Sequence, residues 1–337
     1  MKPIAKTFTM LAACAALLVM SASADTTEAT GAAAKPLRGS SGYTPYDWCG
    51  LRWAQNGGEM VWVNTGAEAV RLLVSKADSS GRPDWIFCSQ GAGAGQVARG
   101  ARLVVLATVY VSPDAVRPVF RVPRVPLAGS RSQFIARSSI EVAFDNLLEK
   151  EKVDPATVRR PTGENPTFST IVSLLRKPAS DDGAIDFAVL VEPFITNLMA
   201  AQPGGYEVGA GGIYELNYCL VAREEDVRTR RADFVALLKN FAAISAEVET
   251  YTSDEQFYSE VWGKKENNAP ARLPKLLTFS RSPARLQLAA AHVREQIRTE
   301  ISHLVRKHPA DLAMPSDLGF VVDDSLLRDA APARSVP

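Results

Sequence analysis

The sequence predicts an α/β fold assembled from two similar units, and three observations predict it. Phe187-Ala188-Val189-Leu190-Val191 is a run of five apolar residues, entered from Gly183-Ala184-Ile185-Asp186 and left through Glu192-Pro193. Such a run, bounded by turn residues, suits a strand buried on both faces as in a parallel sheet. Pro193 has no amide hydrogen for a ladder and should end the strand. The same order of turn, Asp, apolar strand and polar end occurs at Arg82-Pro83-Asp84-Trp85-Ile86-Phe87-Cys88-Ser89. Finally, an amphipathic helix precedes each strand, at residues 67–76 and 167–177. Glu192 then falls at the carboxyl end of a buried strand, the edge at which open α/β sheets bind ligands.

The remaining elements follow from local chemistry. Lys2 and Lys6 precede an apolar stretch at 7–20 that is too short for a stable membrane anchor. The small residues Ser21-Ala22-Ser23-Ala24 place a cleavage after Ala24, so residues 1–24 read as a secretion signal. Leu11-Ala12-Ala13-Cys14 also fits a lipoprotein motif, but acylation there would leave an apolar segment where a polar tether is expected. Residues 25–41, rich in Ala, Thr, Gly and Ser, read as a flexible leader. Residues 42–48 form an aromatic loop, 51–55 a short helix and 59–64 a strand. Thr65-Gly66 caps the next helix, with Glu68 in its first turn. The apolar run 103–111 and the segment 214–222 read as crossover strands between the two units. Residues 133–136 read as a strand, followed by Ser138 and Ser139 as cap candidates for a helix whose apolar face is Ile140, Phe144, Leu147 and Leu148. Residues 204–212 form a glycine-rich return. Two helices end the fold, marked by Phe234, Leu237, Leu238, Phe241, Ile244 and Val248, and by Leu286, Ala289, Val293, Ile297, Ile301 and Leu304. The tail at 329–337 reads as disordered.

Composition excludes several functions. The 38 basic and 37 acidic side chains nearly balance, and loss of Lys2 and Lys6 leaves a net charge of −1. A nucleic-acid binder should carry a basic surface. Cys49, Cys88 and Cys219 remain after cleavage, an odd number that allows one disulfide at most. No C-x-x-C spacing exists, so no metal or redox site is expected; Cys88 and Cys219 read as small core residues. The three histidines, His292, His303 and His308, lie near one late helix with no serine elbow or H-E-x-x-H beside them. They read as surface residues, with no catalytic residue and no cofactor expected. Gly93-Ala94-Gly95-Gln96-Val97-Ala98 fits G-x-G-x-x-A, but Asp114, the one acidic residue at the needed distance, falls after a crossover strand.

Three motifs carry a family resemblance. Gly183, Ile185, Asp186, Glu192 and Pro193 match a "G-x-I-D-A…-E-P" element, and residues 100–107 match a "G-A-x-hydrophobic" crossover strand. Residues 126–131 resemble a "D-L-x-G-K" entry to a second lobe, with Pro126 where Asp is usual. Over about residues 48–250 the chain resembles the solute-binding proteins of ABC importers, in the branch that includes nitrate, taurine, alkanesulfonate and thiamine-pyrimidine binders. The resemblance implies a type II periplasmic-binding-protein fold, two Rossmann-like lobes joined by two crossover strands. Residues 42–112 with 215–328 would form lobe one and residues 113–214 lobe two. It further implies a periplasmic monomer that captures a small organic anion, such as a sulfonate, taurine or nitrate, and delivers it to a membrane permease. A thiamine-pyrimidine-like heterocycle is the alternative ligand, and a secreted sensor module the alternative role.

The expected cleft collects loops at strand ends. Lobe one offers Tyr43, Tyr46 and Trp48, then Thr65 and Gly66, then Ser89, Gln90 and Gly91; lobe two offers Arg137, Ser138, Ser139, Asn165 and Glu192. Hydroxyls and glycines at helix starts leave free N–H groups that favour an anion. The aromatic loop could stack on a flat ligand or close the core. Glu192 could pair with Arg137 or accept from a ligand amine.

Overall fold

The computed structural model describes residues 36–42, 47–63, 65–75, 81–161, 166–251, 256, 258–262, 291–318 and 322–330. The expected signal segment, Tyr43, Tyr46, Asn165 and residues 331–337 lie outside the described residues.

The first sheet contains β1 (Arg38–Gly42), β2 (Glu59–Val63), β3 (Trp85–Ser89), β4 (Leu103–Ser112) and β8 (Leu216–Arg223), in the order β2-β1-β3-β8-β4. β1 runs parallel to β2 and β3, and β8 runs antiparallel to β3 and β4. The second sheet has β5 (Val116–Arg121) between β6 (Phe187–Val191) and β7 (Tyr206–Val208). The chain passes from the first sheet to the second between β4 and β5 and returns between β7 and β8.

Strand β1 corrects the expected leader at 25–41. Its sequence, Arg-Gly-Ser-Ser-Gly, has the composition of a linker, yet Ser40 and Ser41 are fully buried. The small residues are required by packing. A Cβ on Gly39 would lie 2.3 Å from the Trp85 ring and 2.5 Å from the Met60 sulfur. Trp85 and Met60 cover the strand where side chains would otherwise stand.

The two apolar strands have related surroundings. Asp84 accepts a hydrogen bond from the Arg38 amide at 2.7 Å, and Gly39 pairs in parallel with Trp85. Asp186 accepts from the Arg131 amide at 2.8 Å, and Ser132 pairs in parallel with Phe187. In both units an Asp just before the apolar strand ties the entry of a neighbouring parallel segment. The strand expected at 133–136 is therefore displaced to bridges at Arg131 and Ser132, and residues 133–136 carry no ladder. The main ladder of β6 is antiparallel, to β5, rather than parallel. Its burial on both faces comes from helices on each side, a pattern that strand direction does not alter.

Helices follow the strands. α1 (Trp48–Gln55), α2 (Gly66–Val74) and α3 (Gln90–Val97) serve the first sheet. α4 (Ser139–Lys150), α5 (Phe168–Arg176) and α6 (Phe194–Ala201) serve the second. α7 (Glu224–Thr229), α8 (Arg231–Glu249), α9 (Ala291–Lys307) and α10 (Ser325–Ala330) complete the described fold. α10 places Asp329 in a helix, ion-paired with Arg231, which corrects the reading of the tail as disordered from that residue. The Gly93 and Gly95 motif lies inside α3 and is not a phosphate-binding turn.

Trp53, Trp85, Phe87 and Phe241 form an edge-on aromatic cluster between the first sheet and α8. Ile171, Leu174, Leu175, Ile195 and Leu198 form a separate core on the outer face of the second sheet. On its inner face Phe134, Phe144, Phe187 and Phe120 stack in series. This stack belongs to the same apolar core as the first sheet. No described helix is long and apolar enough to cross a membrane.

Candidate functional site

The carboxyl end of β3 leads directly into α3, and Ser89 is the residue at the junction. Ser89 makes no side-chain capping bond, and α3 has no acidic residue in its first turn. Its first turn therefore lacks the acceptor that a capping side chain usually supplies. α4 starts with Ser138, whose hydroxyl accepts from the Ile140 amide and donates to the Ile135 carbonyl. The two helix starts meet: the Ser139 hydroxyl lies 3.4 Å from that of Ser89. A Cβ on Gly91 would stand 2.1 Å from Ser139 Oγ, 2.8 Å from Ser139 N and 2.6 Å from Glu300 Oε2. Glycine at 91 is what permits this approach.

Glu300 of α9 reaches the same point. It is 4% exposed, its Oε1 accepts from the Tyr214 hydroxyl, and its Oε2 has no hydrogen-bond partner. Burial pushes its carboxyl up to about 8, against the opposing effect of neighbouring Tyr214 and Gln90. Burial, with the adjacent Glu300, likewise raises the Tyr214 hydroxyl.

Gln90, expected to face a ligand, is committed to the backbone of the return crossing. Its Nε2 donates to the Glu215 carbonyl and its Oε1 accepts from the Asn217 amide, both at 2.7 Å. Asn217 in turn donates to Gln296 of α9 at 2.6 Å.

α9 is also tied to α4. His303 lies 2.8 Å from Asp145, Lys307 donates to Asp145 at 2.6 Å, and His308, just beyond the helix, lies 2.9 Å from Glu141. Burial would raise the Asp145 carboxyl, but His303 and Lys307 outweigh it and hold it below the usual range. Glu141 accepts from the Arg137 amide as well, at 2.6 Å. The reading of His303 and His308 as surface residues is corrected: both are largely covered and paired with α4 carboxylates. The side chain of His292 lies outside the described residues.

Of the residues expected in the cleft, Ser89, Gln90, Gly91, Ser138 and Ser139 come together. Arg137 lies beside them with φ of +60°, but its guanidinium pairs with Asp311. Thr65 caps α2 by accepting from the Glu68 amide, and Gly66 packs on Cys88 at the end of β3. Trp48 is fully buried in the apolar core that includes the first sheet. Glu192 is corrected. Its carboxylate pairs with Arg117 at 3.0 Å and accepts from the Thr196 amide and hydroxyl, while the Arg137 expected as its partner pairs with Asp311. The three cysteines are buried free thiols, and burial raises all of them. Cys88 and Cys219 face each other across β3 and β8. Among the described residues no cluster of His, Cys, Asp and Glu could hold a metal ion.

Sequence reasoning missed Tyr214 as a site residue, and missed Glu300. Glu300 falls three residues after Ile297 and four before Leu304, on the apolar stripe of α9. A carboxyl on a buried stripe was the signal that could have found it.

No family model matches the sequence, and no curated protein matches it. Solved structures do. The periplasmic nitrate-binding protein of Synechocystis is 11% identical, with a TM-score of 0.64 over 90% of this chain and 89% of its own. The ligand-binding component of an ABC-type import system from Staphylococcus aureus is 13% identical, with a TM-score of 0.63 over 88% and 99%. The periplasmic aliphatic sulphonate binding protein of Escherichia coli is 14% identical, with a TM-score of 0.61 over 82% and 94%. As the motifs around Asp186 and Glu192 implied, the chain has the periplasmic binding protein fold.

Proposed function

We propose that the chain is the extracytoplasmic solute-binding component of an ABC importer. It captures a small organic anion, sulfonate-, taurine- or nitrate-like, between two lobes and presents it to a membrane permease. Residues 42–112 with 215–328 form one lobe, joined from the start of β1, and residues 113–214 the other. The chain reaches the periplasm by cleavage of the signal after Ala24 and acts there as a monomer.

One observation carries the reading. The uncapped start of α3, from the first sheet, and the start of α4, from the second, meet at Ser89, Gly91 and Ser139. Two converging helix starts offer N–H donors and the positive ends of two helix dipoles to one small volume. An anion placed there is held by both sheets at once, which couples binding to closure of the two halves. The heterocycle reading depended on Glu192, whose carboxylate is engaged by Arg117 and Thr196, and it is not favoured.

The test is a thermal-shift and calorimetric screen of the protein starting at Asp25 against methanesulfonate, taurine, nitrate and aminopyrimidines. A ligand at about 100 times its Kd adds about 2.7 kcal/mol, a rise of several degrees. Binding of one of the anions, weakened by Ser139→Ala together with Ser89→Ala, is the expected result. A folded protein that shifts with none of the panel overturns the anion reading.

A further inference from the structure

Resting on the anion-seat reading above, we propose that Glu300 is a built-in occupant of the seat: its carboxyl stands where an anionic headgroup would be received, holds the starts of α3 and α4 together without solute, and must be displaced for solute to enter.

The geometry comes from three elements. Glu300 Oε2 and the Ser139 amide nitrogen lie within 2.6 and 2.8 Å of one and the same point, the position a Gly91 Cβ would take. That point is beside the second residue of α3 and the first of α4. Glu300 is buried, with Oε2 free of any hydrogen bond. A carboxyl oxygen without a hydrogen-bond partner, buried against two helix starts, stands where an oxygen of an external anion would be received; burial keeps the group protonated up to about 8, so it is a neutral stand-in that an anion displaces. Gln90 faces it from α3 and Tyr214 from the return crossing, and Ser139 of α4 faces Tyr214. Tyr214 fixes the other carboxyl oxygen, so the group is held and not free to turn away.

α9 carries the occupant to both halves. Its apolar residues Val293, Ile297, Ile301 and Leu304 are buried in the core shared with α3. His303 and Lys307 bind Asp145, and His308 binds Glu141, both on α4. Withdrawing Glu300 from the joint and separating α4 from α3 are thus linked displacements. A solute that brings its own acceptor oxygens enters as the joint opens and lets α3 and α4 close again on it in place of Glu300, which is a population shift between two occupants of one seat.

Glu300→Ala removes the occupant, and Tyr214→Phe loosens it while leaving the carboxyl in place. Two readouts separate this proposal from the function on which it rests. The first is affinity for methanesulfonate and sulfate by calorimetry. The second is hydrogen exchange of the first-turn amides of α3 and α4 without solute. Glu300→Ala is expected to bind methanesulfonate about tenfold or more tightly than the unmodified chain, to exchange those amides faster, and to regain protection when methanesulfonate is added; Tyr214→Phe should move both readouts in the same direction by less. Binding that is measurable but no tighter in either variant overturns the proposal. So does unchanged exchange in both variants, whether or not solute binds. Faster exchange in the variants with no anion bound by any form upholds Glu300 as the clamp of the two helix starts and removes the solute-binding role instead.

Discussion

Gly91→Ala probes the joint between α3 and α4 with a single methyl group. The added Cβ would stand 2.1 Å from Ser139 Oγ, 2.6 Å from Glu300 Oε2 and 2.8 Å from Ser139 N. The hydroxyl and the carboxyl can turn aside, but the Ser139 nitrogen is backbone. Ordinary contact begins near 3.4 Å, so the first turn of α4 must retreat by roughly 0.6 Å from a close-packed interface. Overpacking of this kind costs about 1–3 kcal/mol. The gain in helix propensity from Gly to Ala returns at most about 1 kcal/mol. Gly93→Ala, two residues further along the same helix, is the control: its Cβ would meet only Cys88 Sγ, at 4.0 Å. Gly93→Ala should therefore be neutral or slightly stabilising, and Gly91→Ala destabilising by about 1–2 kcal/mol, or a fall in Tm of about 2–8 °C for a chain of this size. Scanning calorimetry of both variants decides it. If Gly91→Ala melts at or above Gly93→Ala, α3 and α4 do not meet as described. Adding Ser139→Gly should recover part of the loss, since it removes the hydroxyl clash but not the backbone one.

Further outcomes follow from the same packing. Glu300 titrates near 8 in the fold and near 4.5 unfolded, so between those values the folded chain holds a proton that the unfolded chain has released. Its contribution to stability is full below about 4.5 and is lost as pH rises through about 8. Urea midpoints across that window should fall less steeply for Glu300→Gln than for the unmodified chain; equal slopes would show that the group is not buried as described. Glu192→Gln should cost about 1–3 kcal/mol by weakening the pair with Arg117, while the Kd for methanesulfonate stays unchanged; a loss of binding on a folded protein would return Glu192 to the seat. Trp48→Ala should cost about 3–5 kcal/mol as a core cavity, read as a lowered denaturant midpoint; a change in solute affinity at unaltered stability would contradict its burial.

The elements that local chemistry specifies were legible in the sequence. Residues Phe187–Val191 form the strand that their apolar run and Pro193 imply. Thr65 and Ser138 cap the helices they precede, because a hydroxyl three residues or fewer from an orphan amide needs no distant partner. The Asp that opens each apolar strand was visible too, though its bond to a parallel neighbour was not. Strand β1 was not legible: its residues are chosen by Trp85, which lies 46 positions after Gly39 and removes the space for side chains. The direction of β6 was equally hidden, since burial on two faces is the same for either ladder. At the site, the sequence placed serines and glycines at helix starts, which is a local property. The company they keep was decided by tertiary structure alone. Glu192 found Arg117 on the adjacent strand, and Glu300, 209 residues beyond Gly91, came to lie against it. Caps and turns are settled by atoms a few bonds apart, whereas the partner of a buried carboxyl is fixed only when two distant helices pack, and no short stretch of chain contains that information.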